Sequence, residues 1–165
     1  MDAFEVAGWE SFGVAMAGAA AVLVGLIFVA MSINMERLLA YPWLVSRAAD
    51  AVLILMLALA AATLLLVPGI AIPVLAWCLV ALGAVGTGSI LARGVRRRGR
   101  VDAQYRSRAD LQTIAAAAFT LQFGLAGLSL LAGVGGGMYW LVPAILGSLA
   151  IAVLDSWVLL VEINR

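Results

Sequence analysis

The residue with the clearest potential for chemistry is Asp155, an acid inside an apolar run. Ala152, Val153 and Leu154 precede it, and residues 157 to 161 continue the run as Trp-Val-Leu-Leu-Val. A charge in such a place costs at least about 2.5 kcal/mol on insertion scales, and acids inside membranes serve proton transfer and ion pathways. A carboxyl group can also simply bridge two helices by hydrogen bonds. The pattern leaves both roles open.

Two polar residues of an earlier apolar run, Thr120 and Gln122, are the expected neighbours of Asp155. Asp155 lies eight residues before Ile163, about 12 Å from that end of the run at 1.5 Å per residue. We expect Thr120 at this depth, Gln122 one turn further in and no basic residue nearby. A carboxyl group without a cation favours its neutral form and would donate a hydrogen bond to Thr120 or to a backbone carbonyl. Asp155, Gln122 and Thr120 are therefore predicted to form either a polar path for protons or ions or a set of interhelical hydrogen bonds.

Other kinds of chemistry lack the residues they need. The chain has one cysteine, Cys78, and no histidine, which excludes an internal disulfide, a thiolate metal site, His-ligated haem or zinc, and Ser-His or Cys-His catalysis. The glycine-rich stretch 133–137 leads into no lysine-bearing helix of the kind that binds phosphate. We expect neither an enzyme nor a bound cofactor.

The elements that position these residues are long apolar segments. Hydrophobic residues make up 65% of the 165-residue chain, charged residues 12%, and the mean hydropathy is +1.14. A helix needs about 20 mostly apolar residues to cross a bilayer, and the alternation of a membrane barrel is absent. The sequence predicts an all-α, polytopic transmembrane bundle forming a single membrane domain. Its five spans are about 9–33, 48–67, 70–92, 111–134 and 138–163.

The charges predict how these spans are threaded. All ten basic residues are arginines, and they follow the first span, follow the third span or end the chain. Lys and Arg are retained on the cytoplasmic side, so we expect the N-terminus outside and the C-terminus inside. Arginine without lysine, among many alanines, is typical of a GC-rich bacterial genome and favours a bacterial plasma membrane. Acids near the span ends are expected to pair with adjacent arginines: Asp50 with Arg47, Asp110 with Arg108 and Glu162 with Arg165.

Small residues at helical spacing predict close contacts between helices, because lipid supplies no hydrophobic drive for association. The first span carries Gly13, Ala17, Ala21 and Gly25 at four-residue steps. The other two stripes are Thr113, Ala117, Thr120, Gly124 and Gly127 in the fourth span, and Ala144, Ser148, Ala152 and Ser156 in the fifth. Each stripe could pack inside the bundle, or it could meet a partner protein or a second copy. The first-span stripe is the best candidate for an external contact.

The loop after the third span concentrates positive charge. Retention of this loop inside is the simplest role, and docking of an anionic lipid headgroup or an acidic protein surface is the alternative. Nucleic acid is not expected, because the cluster has a single aromatic residue, Tyr105, and no domain to present it. The candidate contact residues are Arg93, Arg96, Arg97, Arg98 and Arg100.

Two connectors and a set of aromatic residues complete the expected architecture. The turn at residues 67–69 and the glycine-rich stretch 133–137 are so short that spans two and three, and spans four and five, should be antiparallel neighbours. Pro42 should break any short helix that begins after Asn34. Trp9, Tyr139, Trp140 and Trp157 are predicted as anchors at the membrane interfaces.

Several stretches together resemble a known family. They are Val24-Gly-Leu-Ile-Phe-Val-Ala30 leading to Ser32-Ile-Asn34, then Tyr41-Pro42, Leu66-Val67-Pro68-Gly69 and Trp157-Val-Leu-Leu-Val-Glu162. This pattern is similar to small multi-spanning bacterial membrane proteins sometimes described as modulators of the membrane protease FtsH. The resemblance covers most of the chain and implies a bundle with a regulatory role, without assigning functional residues. We therefore expect an accessory or regulatory protein that packs against a partner membrane protein or itself. The alternative is a small oligomeric transporter or channel that uses Asp155.

Overall fold

The computed structural model describes residues 3–40, 42–98 and 103–161, and these residues form helices and short connectors without any strand. The all-α prediction is thus confirmed for this part of the chain. The helices, with one 3₁₀ turn at Gly137–Trp140, are α1 (Glu10–Ile33), α2 (Met35–Ala40), α3 (Pro42–Leu64), α4 (Ile72–Arg98), α5 (Ala103–Ala132) and α6 (Leu141–Val161).

Five of these helices, all except the short α2, are long and apolar enough to cross a membrane. Each falls on one predicted span, although the helical ends differ from the apolar runs. α3 begins at Pro42 and α4 continues to Arg98, so both helices extend about six residues beyond the predicted apolar limits. Backbone hydrogen bonding continues where the side chains become charged. Arg47 and Arg93 therefore lie on helices rather than in loops.

The short connector between α1 and α3 follows from its proline. α2 ends at Ala40, and Pro42 is the first residue of α3. Proline lacks an amide hydrogen and its fixed φ suits the first helical position, so it ends one helix and begins the next. The predicted break at Pro42 is confirmed.

The bundle is organised around α3, which contacts α1, α4, α5 and α6. Half of its spanning segment is buried inside the protein, compared with 17% of the α1 segment. The main core is built from α3, α4, α5, α6 and the 3₁₀ turn around the fully buried ring of Phe123. α1 packs on the outside of this core against α3 and α6.

The two predicted hairpins both exist as contacts, but neither is the closest pairing. α3 touches α4 and α5 touches α6, whereas the most extensive contact joins α4 to α5. The reason is the glycine content of the α4–α5 interface. A side chain at Gly83 would bring its Cβ to 2.6 Å from the Gly124 Cα, and a side chain at Gly94 would strike Thr113. The helix backbones meet where both helices have almost no side chain.

The small-residue stripe of α5 therefore packs inside the protein. Thr113, Thr120 and Gly124 face Gly94, Thr87 and Gly83 of α4 in one constant antiparallel register. Of the α6 stripe, Ala144, Ser148 and Ala152 are buried and Ser156 is half-buried. For these two stripes, internal packing accounts for the spacing.

Candidate functional site

Asp155 is bonded to an arginine, contrary to the sequence expectation. The Arg47 Nε donates to the Asp155 Oδ1 at 2.8 Å, and the two side chains are 14% and 10% exposed. The expectation of no nearby cation was wrong because Arg47 lies about one and a half turns inside α3, opposite Asp155 of α6. The pair joins α3 to α6.

Asp50 is also paired differently from the prediction. Its Oδ1 accepts a hydrogen bond from the Arg93 Nε at 2.5 Å, whereas the sequence pointed to Arg47. Asp50 is buried at 6% exposure, and the Arg93 side chain is 32% exposed. This pair joins α3 to α4. Both predicted pairs at Arg108 and Arg165 involve positions at which the structure does not describe both side chains.

Together, the two ion pairs form a polar layer at the end of the bundle that we call the arginine end, defined by Arg47, Asp50, Arg93 and Asp155. It contains two positive and two negative side chains, so the charges of the layer balance. The Nη2 atoms of Arg47 and Arg93 are buried without a hydrogen-bond partner. Buried charges are tolerated when they are paired, so the layer holds three helices together at a depth where single charges would be costly.

Thr120 and Gln122 do not contact Asp155 in the described hydrogen bonds. The Thr120 hydroxyl lies 3.1 Å from the Thr87 hydroxyl on α4 and donates to the carbonyl of Ala116 at 3.0 Å, or to that of Ala117 at 3.1 Å. The Gln122 Oε1 is buried and has no hydrogen-bond partner. The three residues predicted to act together are thus divided between an ion pair, an interhelical hydroxyl contact and an unpartnered amide oxygen.

The predicted stripe on α1 winds around the helix instead of following one face. Gly13 is buried against α3, with Ala62 and Leu65 close to its position, and Ala17 is half-buried. Ala21 and Gly25 are exposed. The face that packs on the bundle has seven-residue spacing: Gly13, Ala20, Ile27 and Asn34 are all buried.

Of the predicted arginine contacts, two can be located. Arg93 is half-buried through its bond to Asp50, and Arg96 is exposed one turn further along α4. Arg97 and Arg98 lie on α4 with side chains outside the described part of the structure, and Arg100 is beyond it altogether.

At the opposite end of the bundle, residues 3–9 form a strap that sequence reasoning missed. The Met138 amide donates to the Ala3 carbonyl at 2.7 Å. Trp9 was predicted as an interfacial anchor, but it is buried at 6% exposure. Its ring packs edge-on against Phe12 and Tyr139, with ring centroids 5.8 and 5.2 Å away. The signal available in the sequence was the pair of apolar residues Phe4 and Val6, both of which pack on the main core.

The strap rests on an ordered connector between α5 and α6. The Ser129 Oγ donates to the Val134 carbonyl and accepts from the Gly137 amide, the latter at 2.8 Å. Gly137 has φ of +51°, and a side chain there would collide with the Ala3 carbonyl. Glycine is needed here for both its left-handed backbone and its lack of a side chain.

These features define the class of the protein as an all-helical bundle whose five long apolar helices suit a multi-pass membrane protein. No family model matches the chain, and no curated protein or solved structure shows significant similarity to it. The resemblance to the FtsH modulators consequently stays a prediction.

Proposed function

We propose that this protein is an accessory or regulatory subunit that lies in a bacterial plasma membrane. It acts by packing a helix against a partner membrane protein. In this proposal the strap lies outside and the arginine end faces the cytoplasm. The resemblance to the FtsH modulators points to the same kind of role. The main support for this proposal is the outward surface of α1.

Support for the orientation comes from the distribution of charge over the two ends of the bundle. One end of the bundle has Arg47, Arg93 and Arg96, and the other end has Glu5 and Glu10. Arginine is the residue that cells retain on the cytoplasmic side.

The orientation can be tested with single cysteines placed at the two ends in a Cys78→Ala background. The exposed positions Val134 and Arg96 suit this purpose. A membrane-impermeant maleimide added to intact cells should label Val134→Cys and should label Arg96→Cys only after lysis. Labelling of Arg96→Cys in intact cells would reverse the proposed threading.

The outward surface of α1 has a second stripe of small residues, at seven-residue spacing. Ser11, Gly18, Gly25 and Ser32 are all exposed. Apart from the neighbouring backbone of α1 itself, no described atom lies within 4 Å of a Cβ added at Gly18 or Gly25. We call this set the outer stripe.

Two glycines in the outer stripe weaken the helix without improving any contact within the part of the chain that the structure describes. Glycine inside a helix is about 0.5–1 kcal/mol less favourable than alanine. Elsewhere in the protein, as at Gly83, this cost accompanies a close approach of two backbones. A helix from another protein, lying along the outer stripe, would supply the same close approach. Small residues every seven positions suit a left-handed helix pair.

The direct test is purification in mild detergent, followed by identification of whatever remains bound. We expect a membrane-protein partner that is retained by the native chain and lost from Gly18→Leu and Gly25→Leu. A matched control is Gly88→Leu on α4, because Gly88 is likewise exposed with open space around it. The control should keep the partner. Recovery of a lone monomer, or equal loss from all three variants, would contradict the proposal, whereas a second copy as the bound protein would make the subunit a homo-oligomer.

A second candidate function is a small oligomeric transporter or channel. The buried, unpartnered Gln122 Oε1 on α5 favours it, because a polar acceptor inside the bundle is what a permeating proton or cation would use. The proposed path also includes Thr120 and Asp155. Flux of protons or cations into vesicles that contain the purified protein, reduced in Gln122→Leu, would support this function. Vesicles without flux would remove it.

A further inference from the structure

The surface of α4 that faces away from the bundle is apolar and carries a row of small residues. Its central positions are small and exposed, and Gly88 has no described atom within 4 Å. Larger exposed side chains border it, including Trp77 at one end and Leu91 and Val95 towards the other. The small residues are Ala81, Ala84, Gly88 and Ala92. We call this surface the α4 groove.

The α4 groove ends at two arginines. Arg96 is exposed and lies on the same side of the helix as Ala92, and Arg93 lies beside it, closer to the bundle. Asp50 already holds the Arg93 guanidinium through its Nε. Since this side chain is 32% exposed, an incoming anion would meet a guanidinium that is already oriented, which lowers the entropy cost of binding.

We infer that the α4 groove binds one anionic phospholipid, with an acyl chain over Gly88 and the headgroup phosphate at Arg96 and Arg93. The charge pattern favours a phospholipid, because the two arginines of this apolar surface lie together at one end of it. From Ala81, the first small residue of the groove, to Arg96 the helix rises about 22 Å at 1.5 Å per residue. Half of a bilayer's hydrocarbon core is about 15 Å, so the groove is long enough to take an acyl chain of one leaflet. Basic sites at helix surfaces are known to select acidic headgroups.

This lipid site goes beyond the proposed partner binding and uses a different helix. Loss of the lipid site would leave partner binding to α1 intact, and loss of the partner would leave lipid binding intact. The two proposals can therefore fail separately.

The experiment uses the full-length protein, purified and delipidated in a neutral detergent. Phosphatidylglycerol and phosphatidylcholine are titrated separately, and lipid binding is measured by the rise in unfolding temperature and by the lipids retained in native mass spectrometry. We expect phosphatidylglycerol to stabilise the protein, with a saturable one-lipid stoichiometry, and phosphatidylcholine to have little effect. Glycerol phosphate, which has the headgroup chemistry without acyl chains, should not substitute.

Three variants test the two halves of the site. Gly88→Leu fills the groove, and Arg96→Gln removes a phosphate contact. Arg93→Gln combined with Asp50→Asn removes the oriented guanidinium while leaving the net charge of the chain unchanged. Each should raise the half-saturating concentration of phosphatidylglycerol about tenfold, as expected for the loss of one charge-assisted bond or of the chain contact.

The matched control is Gly25→Leu, the same substitution on an exposed α1 position without neighbouring arginines. It should bind phosphatidylglycerol like the native protein. Ala92→Leu on the same α4 face provides a second groove variant should Gly88→Leu unfold. The inference is overturned by equal effects of the two lipids or of glycerol phosphate. It is equally overturned if the groove variants keep native binding, or if Gly25→Leu loses binding to the same extent.

Discussion

The ion pair between α3 and α6 makes a quantitative prediction about stability. Arg47 and Asp155 are 14% and 10% exposed, with Nε and Oδ1 separated by 2.8 Å. Asp155→Asn removes the negative charge but leaves the buried guanidinium, whose Nη2 already lacks an acceptor. Breaking one side of a buried pair costs about 3–5 kcal/mol, so we expect Asp155→Asn and Arg47→Gln each to lower the free energy of unfolding by about that amount.

The double variant distinguishes the interaction between the two side chains from the cost of burying a single charge without its partner. With Arg47→Gln and Asp155→Asn together, both side chains are neutral and can still form hydrogen bonds. Replacement of a buried ion pair by uncharged groups is often close to neutral. The double variant should therefore be much more stable than the sum of the two single losses predicts, because most of each single loss comes from the charge that is left without its partner.

The measurement is reversible unfolding in mixed micelles, in which a denaturing detergent is titrated against a mild one and helix content is followed by circular dichroism. The Asp50–Arg93 pair is the internal comparison. Arg93 is 32% exposed, so solvent should weaken that coupling to a smaller value. If Asp155→Asn cost less than about 1 kcal/mol, or if the single losses at Arg47 and Asp155 simply added, the ion pair would not stabilise the bundle and the reasoning would fail.

Two further predictions concern packing. Gly83→Ala should lower the free energy of unfolding by about 1–3 kcal/mol, because its Cβ would overlap Gly124. Gly88→Ala, which has open space around it, should be neutral or slightly stabilising. Equal effects of the two substitutions in the same micelle titration would contradict the close approach of α4 and α5. Trp9→Ala should cost about 3–5 kcal/mol, because the buried ring packs on Tyr139, and proteolysis of the N-terminal residues should become faster. An unchanged cleavage rate would mean that Trp9 does not hold the strap in place.

The individual helices show how much of the fold can be predicted from the sequence. The five spans follow from apolar length alone, since a bilayer demands about 20 such residues whatever their order. The ion pairs could not be predicted in this way, because the apolar run of the second span starts after Arg47 while α3 starts at Pro42. A limit drawn by hydropathy placed Arg47 in a loop, and so Asp155 was left without its partner.

The α1 stripe failed as a single face for a geometric reason. At about 100° per residue, four-residue steps advance about 40° beyond a full turn, so Gly13 and Gly25 lie about 120° apart. Seven-residue steps fall short of two turns by only about 20°, which keeps Gly13 and Ile27 on one face. The spacing of small residues predicted α1 to be a contact helix, but only the structure distinguishes its inward and outward surfaces.

The strap also constrains how the protein is made. Ala3 and Trp9 are synthesised well before their partners Met138 and Tyr139, which follow the long helices α1, α3, α4 and α5 along the chain. The strap therefore cannot close until α3, α4 and α5 have been made. Closure of the strap is accordingly a late step of assembly, and a chain truncated before the 3₁₀ turn at Gly137–Trp140 would leave Trp9 without Tyr139.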